Sequence, residues 1–291
     1  MDRMCRLFGL SAAPCRVRAT FWLLEAPDSL AAQSRNEPDG TGLGYFGTDG
    51  TPHVDKQPIA AYADRDFARD AKECESTTFL AHIRYASTGG LEARNTHPFE
   101  QQGRLFAHNG VITDLDRLDA ELGEHRKLVT GDTDSERFFA LITKRTEACG
   151  GDLGTGIAQA ARWVARELPV FALNLVLITP DELWALRYPA THDLFVLTRR
   201  PGGRQGDRHL DHASRSGRIR ARSGELADRG AVVVATERMD EDPGWVNLAP
   251  GQLLHVDGNL GVHTRTVIDH PPRRPLTLAD LGERAAASQH G

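Results

Sequence analysis

The stretch Met4-Cys5-Arg6-Leu7-Phe8-Gly9-Leu10 places a cysteine at the start of an apolar run near the amino end of the chain. The run has the composition of a buried β-strand. If the mature chain begins at Cys5, that residue carries both a thiol and a free α-amine. Their ordinary pKa values, about 8.5 and about 7.7–8.0, let the amine accept the thiol proton. Position alone favours a small buried apolar residue instead, so the rest of the chain decides.

The composition is that of a globular protein. The chain has 291 residues, a net charge of −5, 40% hydrophobic and 26% charged residues, all ordinary values. The mildly acidic balance does not favour a nucleic-acid partner. No run of about 18 apolar residues predicts a membrane span, and residues 1–4 lack the apolar region of a signal peptide. We therefore expect a cytoplasmic protein with reduced thiols.

The cysteines and histidines do not have the spacing of metal ligands. The twelve histidines contain no HExxH pattern, and the cysteines contain no CxxC pair, which argues against a zinc ribbon or a thioredoxin-type site. We predict no metal site. The four cysteines are Cys5, Cys15, Cys74 and Cys149.

An arginine ends the apolar strand pattern Phe79-Leu80-Ala81-His82-Ile83-Arg84. A buried guanidinium needs an anion beside it. Two interpretations stay open for Arg84: an ion pair inside the protein, or a bidentate clamp on a substrate carboxylate.

A second apolar strand delivers His108-Asn109-Gly110 at its end. The Asn109 side-chain amide and the Gly110 backbone N–H have the donor types of a two-donor oxyanion hole. The plainer alternative is an ordinary Asn-Gly turn.

The motif Thr133-Asp134-Ser135-Glu136 opens a predicted helix. Thr133 and Glu136 fit a capping box, which is the structural interpretation. The functional interpretation is that Asp134, held in the first turn, faces a pocket and meets a cation.

The second half of the chain consists mainly of predicted strands, among them residues 172–178, 183–188 and 231–235. Residues 199–230 are rich in Arg, Gly, Ser and Asp and predict a long solvated loop. Residues 269–291 predict a flexible C-terminal tail. No composition shift marks a second catalytic domain, so we expect one domain over residues 5–268.

These motifs, in this order, resemble the class II glutamine amidotransferase domains, which are N-terminal-nucleophile hydrolases. The resemblance runs from Cys5 to about Val256 and is greatest to stand-alone members, including relatives of the γ-glutamyl hydrolase of ergothioneine biosynthesis. It implies an α+β fold, a four-layer αββα sandwich of two antiparallel sheets flanked by helices. The motifs are Met4-Cys5, Asp39-Gly40-Thr41-Gly42, His82-Ile83-Arg84-Tyr85-Ala86-Ser87, Asn95-Thr96-His97-Pro98, His108-Asn109-Gly110 and Thr133-Asp134-Ser135-Glu136.

The resemblance also implies a role for each site residue. Cys5 is the implied nucleophile towards the amide of glutamine or of a γ-glutamyl group, with its α-amine as general base. Asn109 and Gly110 stabilise the oxyanion, Arg84 holds the α-carboxylate, and Asp134 holds the α-ammonium. The family requires no metal and no cofactor.

Four further residues have lesser implied roles. Ser87 orients the substrate or the chain terminus, and Gly42 lines the pocket of the nucleophile. His97 and His108 are structural.

Two features depart from the family pattern. Stand-alone relatives often have Trp where this chain has Thr41, which concerns the shape of the pocket. Residues 1–3 precede Met4, and we expect translation to start at Met4, so that removal of the initiator exposes Cys5. If residues 1–4 stay attached, the α-amine becomes an amide and cannot act as a base.

Three functions follow as alternatives. The first is a glutaminase or amidotransferase subunit that passes ammonia to a separate synthase subunit. The second is a γ-glutamyl amide hydrolase that acts on a small metabolite. The third is a non-catalytic glutamine-binding protein with a blocked amino end.

Overall fold

The structure is a computed structural model that describes residues 3–26, 28–34, 39–84, 92–201, 211–213, 220–222, 229–287 and 289–290. Its α-helices are α1 (Leu30–Gln33), α2 (Arg65–Glu73), α3 (Leu115–Leu122), α4 (Asp134–Ala148), α5 (Leu153–Glu167) and α6 (Glu283–Ala287). A π-helical turn spans Phe21–Glu25, and 3-10 turns span Ala93–Asn95, Gly123–Leu128 and Leu278–Asp280.

The strands alternate with these helices in the first half of the chain and dominate the second half. They are β1 (Arg3–Met4), β2 (Arg6–Ser11), β3 (Gly40–Phe46), β4 (Pro52–Gln57), β5 (Thr78–Arg84), β6 (Phe99–Gln101), β7 (Arg104–Ile112), β8 (Pro169–Ile178), β9 (Leu183–Arg187), β10 (Phe195–Arg199), β11 (Asp211–Ala213), β12 (Arg220–Arg222), β13 (Ala231–Ala235), β14 (Val246–Asn247), β15 (Gln252–Val256), β16 (Val262–Thr266), β17 (Arg274–Pro275) and β18 (Gln289–His290).

Two seven-stranded sheets form the centre of the fold. The first has the order β14-β10-β13-β2-β5-β3-β4, and all its pairs are antiparallel. The second has the order β16-β15-β9-β8-β7-β6 and is antiparallel along this path, with β17 added in parallel to β8.

Alternation along the strands divides the core into layers. On β2, Leu7 packs between the two sheets, whereas Phe8 and Leu10 pack outwards beneath the π-helical turn, α1 and α2. On the outer face of the second sheet, Phe106 and its neighbours pack against α4 and α5. The resulting order of helices, sheet, sheet and helices confirms the predicted αββα sandwich.

Close approach of the chain explains the glycines of β3. A Cβ on Gly42 would lie 1.9 Å from the His97 carbonyl oxygen, and one on Gly44 would lie 2.8 Å from Leu105 Cδ1. Because a side chain at either position would collide with these neighbours, the absence of a Cβ lets the His97 segment pack against the first sheet.

Two predicted irregular regions have structure in their described residues. Within the predicted loop over residues 199–230, β11 and β12 form a two-stranded antiparallel sheet. Within the predicted tail, Leu276, Leu278 and the buried Leu281 pack against a cluster formed by Val111, Phe171 and Ala172. These leucines attach the described part of the tail to the second sheet, which differs from a freely moving tail.

Candidate active site

Strand register brings three of the sequence motifs to one end of the first sheet. Arg6 of β2 pairs with Ile83 of β5, which leaves Cys5 beside the end of β5 at Arg84. On the other side of β5, Gly40 pairs with Arg84, and the Asp39 N–H donates to the Arg84 carbonyl at 3.2 Å. Residues far apart in sequence therefore meet at this end of the sheet.

Asn109 connects the second sheet to Cys5. Its Nδ2 donates a hydrogen bond to the Cys5 carbonyl oxygen at 2.9 Å, and its side chain is buried. Its Oδ1 is also buried and accepts no hydrogen bond from the described part of the chain. Buried amide oxygens usually accept a hydrogen bond. This oxygen therefore marks the Cys5 region as a place where a buried acceptor has no donor among the described residues.

The charge of Arg84 is set by burial and by nearby anions. Arg84 is 4% exposed, and burial, the largest influence, lowers the pKa of its guanidinium. Negative charges on Cys5, Asp39 and Asp134 act in the opposite direction and raise this pKa. The same attraction favours the thiolate form of a nearby cysteine. The structure thus brings together the residues predicted to carry the thiol, the cation and the anion.

Asp134 is buried in the first turn of α4, where its Oδ2 accepts a hydrogen bond from the Ile112 N–H at 2.9 Å. Thr133 caps the helix through the Glu136 N–H at 3.2 Å. The Glu136 carboxylate does not complete the predicted box. It accepts instead from the Thr130 and Gly131 N–H groups, at 3.0 and 2.7 Å, because the turn before the helix points these donors at it.

The two predicted site glycines have little room for a side chain. A Cβ on Gly110 would lie 1.9 Å from the Ala172 carbonyl oxygen, so this position of β7 requires glycine. Gly42 faces the space between the sheets, and its nearest neighbour there is His97. This contact gives Gly42 a packing role, and its predicted contribution to the pocket stays a prediction. Ser87 lies outside the described residues.

Two buried histidines, His82 and His97, lie next to Arg84, and neither was predicted as a site residue. The His82 and His97 rings have centroids 4.2 Å apart, and none of their ring nitrogens has a hydrogen-bond partner in the described ranges. Burial, the largest cause, lowers the pKa of His82 to about 3 and the pKa of His97 well below its ordinary value. Both rings are therefore neutral at neutral pH. One signal was available: His82 lies two residues before Arg84 and shares its face of the strand.

His108 has the structural contacts expected of it. Its Nδ1 lies 2.9 Å from Ser135 Oγ, and its Nε2 lies 3.2 Å from the Ala172 carbonyl oxygen. These contacts join β7 to the first turn of α4 and to β8.

Two kinds of feature are absent from the described ranges, a metal cluster and a membrane span. They contain no group of three or more His, Cys, Asp or Glu side chains that could hold a metal ion. None of their helices is both long and apolar enough to cross a membrane.

Comparison with protein families gives a match over residues 4–275 to the model described as glutamine amidotransferases class-II. This chain belongs to that family. Membership makes the protein an enzyme of the glutamine amidotransferase type, and the residues meeting at Cys5 come from the motifs on which the resemblance was based.

Two of three similar proteins match this chain over nearly their whole length. The putative glutamine amidotransferase YafJ of Escherichia coli is 27% identical over 266 residues, covering 86% of this chain and 96% of YafJ. The gamma-glutamyl-hercynylcysteine sulfoxide hydrolase of Mycolicibacterium smegmatis is 26% identical over 264 residues, covering 87% and 96%. An uncharacterised protein of Methanocaldococcus jannaschii, MJ1515, is 27% identical over 78% of this chain, which spans 63% of that protein.

A solved structure shows the same fold at low sequence identity. A predicted glutamine amidotransferase from Pseudomonas aeruginosa superposes with a TM-score of 0.58 at 20% identity, covering 89% of this chain and 99% of that one. At this identity, the likeness establishes the fold alone.

Proposed function

We propose that this enzyme hydrolyses the γ-amide of glutamine, or of a γ-glutamyl group, through a thioester on Cys5. The observation that carries the proposal is the 2.9 Å hydrogen bond from Asn109 Nδ2 to the Cys5 carbonyl. It holds the thiol-bearing residue against the strand that supplies both candidate oxyanion donors. Arg84 beside Cys5 adds the cation that a substrate α-carboxylate needs.

The chemistry follows from these roles. In a chain that begins at Cys5, the α-amine takes the thiol proton, and the thiolate attacks the γ-carbonyl carbon. The second Nδ2 hydrogen of Asn109, with the Gly110 N–H, stabilises the oxyanion. The C–N bond of the substrate then breaks as the α-ammonium group of Cys5 protonates the leaving nitrogen. Water, deprotonated by the amine, hydrolyses the thioester to glutamate and frees the thiol.

A second candidate differs only in the leaving group. The relative from M. smegmatis is named a gamma-glutamyl-hercynylcysteine sulfoxide hydrolase and matches this chain over 96% of its own length. This likeness supports a γ-glutamyl amide of a small metabolite as the alternative substrate. Transfer of ammonia to a separate synthase subunit also stays a prediction.

The test compares three proteins: the chain that begins at Met1, the same chain restarted at Met4, and the restarted chain with Cys5→Ala. Intact mass identifies the amino end of each. We expect the restarted protein to begin at Cys5 and to release ammonia from L-glutamine, or the amine from γ-glutamyl amides. Cys5→Ala should release neither product.

The two substrates separate the two candidates. Preference for glutamine supports the glutaminase, and preference for γ-glutamyl amides supports the metabolite hydrolase. A mature Cys5 protein that turns over neither substrate, yet binds glutamine, would contradict both and favour the binding protein.

A further inference from the structure

Three polar side chains, Asp134, Ser135 and His108, form a polar network that links α4 to β7 and β8. It lies behind β7, the strand that carries Asn109 and Gly110. Ser135 Oγ lies 2.9 Å from His108 Nδ1 and 3.5 Å from Asp134 Oδ1. His108 Nε2 lies 3.2 Å from the Ala172 carbonyl oxygen. The side chains of Asp134, Ser135 and His108 are all buried, so each of their protons has a restricted choice of partner.

The carbonyl of Ala172 fixes the direction of the hydrogen bonds in this polar network. A carbonyl oxygen only accepts, so Nε2 of His108 carries the proton and donates it. Burial lowers the pKa of His108, which keeps the ring neutral and leaves Nδ1 as an acceptor. The Ser135 hydroxyl then donates its single hydrogen bond to Nδ1 at 2.9 Å, in preference to the Asp134 carboxylate at 3.5 Å.

The His108 ring is held in place by its surroundings. The Phe138 ring of α4 packs edge-on against it with centroids 5.7 Å apart. On the strand side, a Cβ on Gly110 would lie 2.7 Å from His108 Nε2. The imidazole is therefore a fixed spacer between β7, which carries Asn109, and the turn that carries Asp134.

We propose that His108 and Ser135 are positioning residues that hold the Asp134 carboxylate for the α-ammonium group of the substrate. This inference rests on the proposed function. By accepting a hydrogen bond from Ser135 Oγ, His108 anchors the first turn of α4 to β7 and keeps the hydroxyl from donating to the carboxylate. The pair thereby makes the site selective for γ-amides that carry an α-ammonium over those that lack it.

The test compares L-glutamine with glutaramate, which has the same amide and carboxylate but no amino group. In the restarted protein, Ser135→Ala should raise the KM for glutamine about tenfold, with kcat changed less than about threefold, because ammonium binding is equal in the ground and transition states. Its kcat/KM for glutaramate should stay within about twofold of the parent value.

Two His108 variants test the direction of the hydrogen bond. His108→Asn keeps an acceptor near the Nδ1 position, whereas His108→Gln keeps a donor near the Nε2 position. We expect His108→Asn to retain more of the preference for glutamine over glutaramate than His108→Gln does. Equal losses in the two variants would overturn the proposed direction.

Thr143→Ala is the matched control. Thr143 is another residue of α4 with a buried hydroxyl. This hydroxyl donates to Gln101 Oε1 at 2.9 Å, outside the polar network. It should lower thermal stability and leave the preference between the two substrates unchanged. If Ser135→Ala lost both substrates equally, its role would be structural and the inference wrong. A parent protein that releases neither ammonia from glutamine nor the amine from γ-glutamyl amides would overturn the proposed function and this inference with it.

Discussion

The space between the two sheets has a dry end and a polar end, although the same strands line both. At the dry end the inward side chains are apolar, namely Leu80, Leu105, Ala107, Val176 and Val234. At the polar end the inward positions of β5 and β7, together with the residue before β2, carry His82, Arg84, Asn109 and Cys5.

The two ends differ in what burial does for stability. Buried apolar side chains stabilise the fold, whereas buried polar groups without partners destabilise it. At the polar end the His82 nitrogens and Asn109 Oδ1 have no hydrogen-bond partner among the described residues. Groups kept at such a cost to stability mark a region whose side chains serve chemistry, and the dry end supplies the stability that offsets this cost.

We expect the largest effect on activity from replacement of Asn109 at the polar end. Asn109→Ala should lower kcat by about 10²–10³, because one oxyanion donor is lost. It should also lower the unfolding free energy by about 1–3 kcal/mol, because the buried Cys5 carbonyl loses this hydrogen bond. Asn174 is the matched control. It is the direct cross-strand partner of Asn109, and its side chain bonds the Tyr188 N–H and the carbonyls of His192 and Asp193.

Steady-state kinetics and chemical denaturation of both variants check this prediction. Asn174→Ala should lower the unfolding free energy and leave kcat within about tenfold of the parent value. If the two variants lost activity equally, Asn109 would have no special part in the reaction.

A smaller effect is expected from the dry end. Leu80→Ala should lower the unfolding free energy by about 3 kcal/mol, since Leu80 is fully buried between the sheets and its loss leaves a cavity. The kcat/KM of the folded fraction should stay within about twofold of the parent value. Denaturant titration and kinetics at low temperature measure both quantities. A large loss of activity in the folded protein would show that the two ends are not separable.

Much of the site could be predicted from local sequence. Cys5 directly precedes β2 and Arg84 ends β5, two strands with a clear apolar pattern, while Asp134 begins α4 and Asn109 lies within β7. The ordered motifs resemble one family. The structure brings these four residues to one region, while their roles stay predictions. Helices α4 and α5 were also evident, because caps and apolar periodicity are local signals.

Other features depend on contacts between distant segments. The pairing of His82 with His97 requires the His97 segment to lie against Gly42, and no spacing in the sequence encodes that contact. The packing of Leu276, Leu278 and Leu281 is a second such contact, because their partners on β7 and β8 lie more than a hundred residues away in the sequence.

The smallest effect is a pH dependence that comes from the polar end. His82 is neutral when folded, with its pKa lowered to about 3, whereas the unfolded chain binds a proton below about pH 6.5. The contribution of His82 to the unfolding free energy is fully present above about pH 6.5 and is lost as the pH falls towards 3. Between pH 7 and pH 5, His82 should account for a loss of about 2 kcal/mol in unfolding free energy.

Denaturant titration at the two pH values measures this loss. His82→Leu should flatten the dependence by that amount. An unaltered slope in His82→Leu would mean that His82 binds its proton in the folded protein as readily as in the unfolded chain.

The central claim is that Cys5 is the nucleophile, and covalent labelling tests it most directly. The protein restarted at Met4 is treated with a diazoketone analogue of glutamine, and peptide mass spectrometry locates the adduct among Cys5, Cys15, Cys74 and Cys149. The account predicts one adduct, on Cys5, with protection by glutamine and loss of ammonia release. Labelling of another cysteine, or ammonia release that persists after Cys5 is labelled, would contradict it.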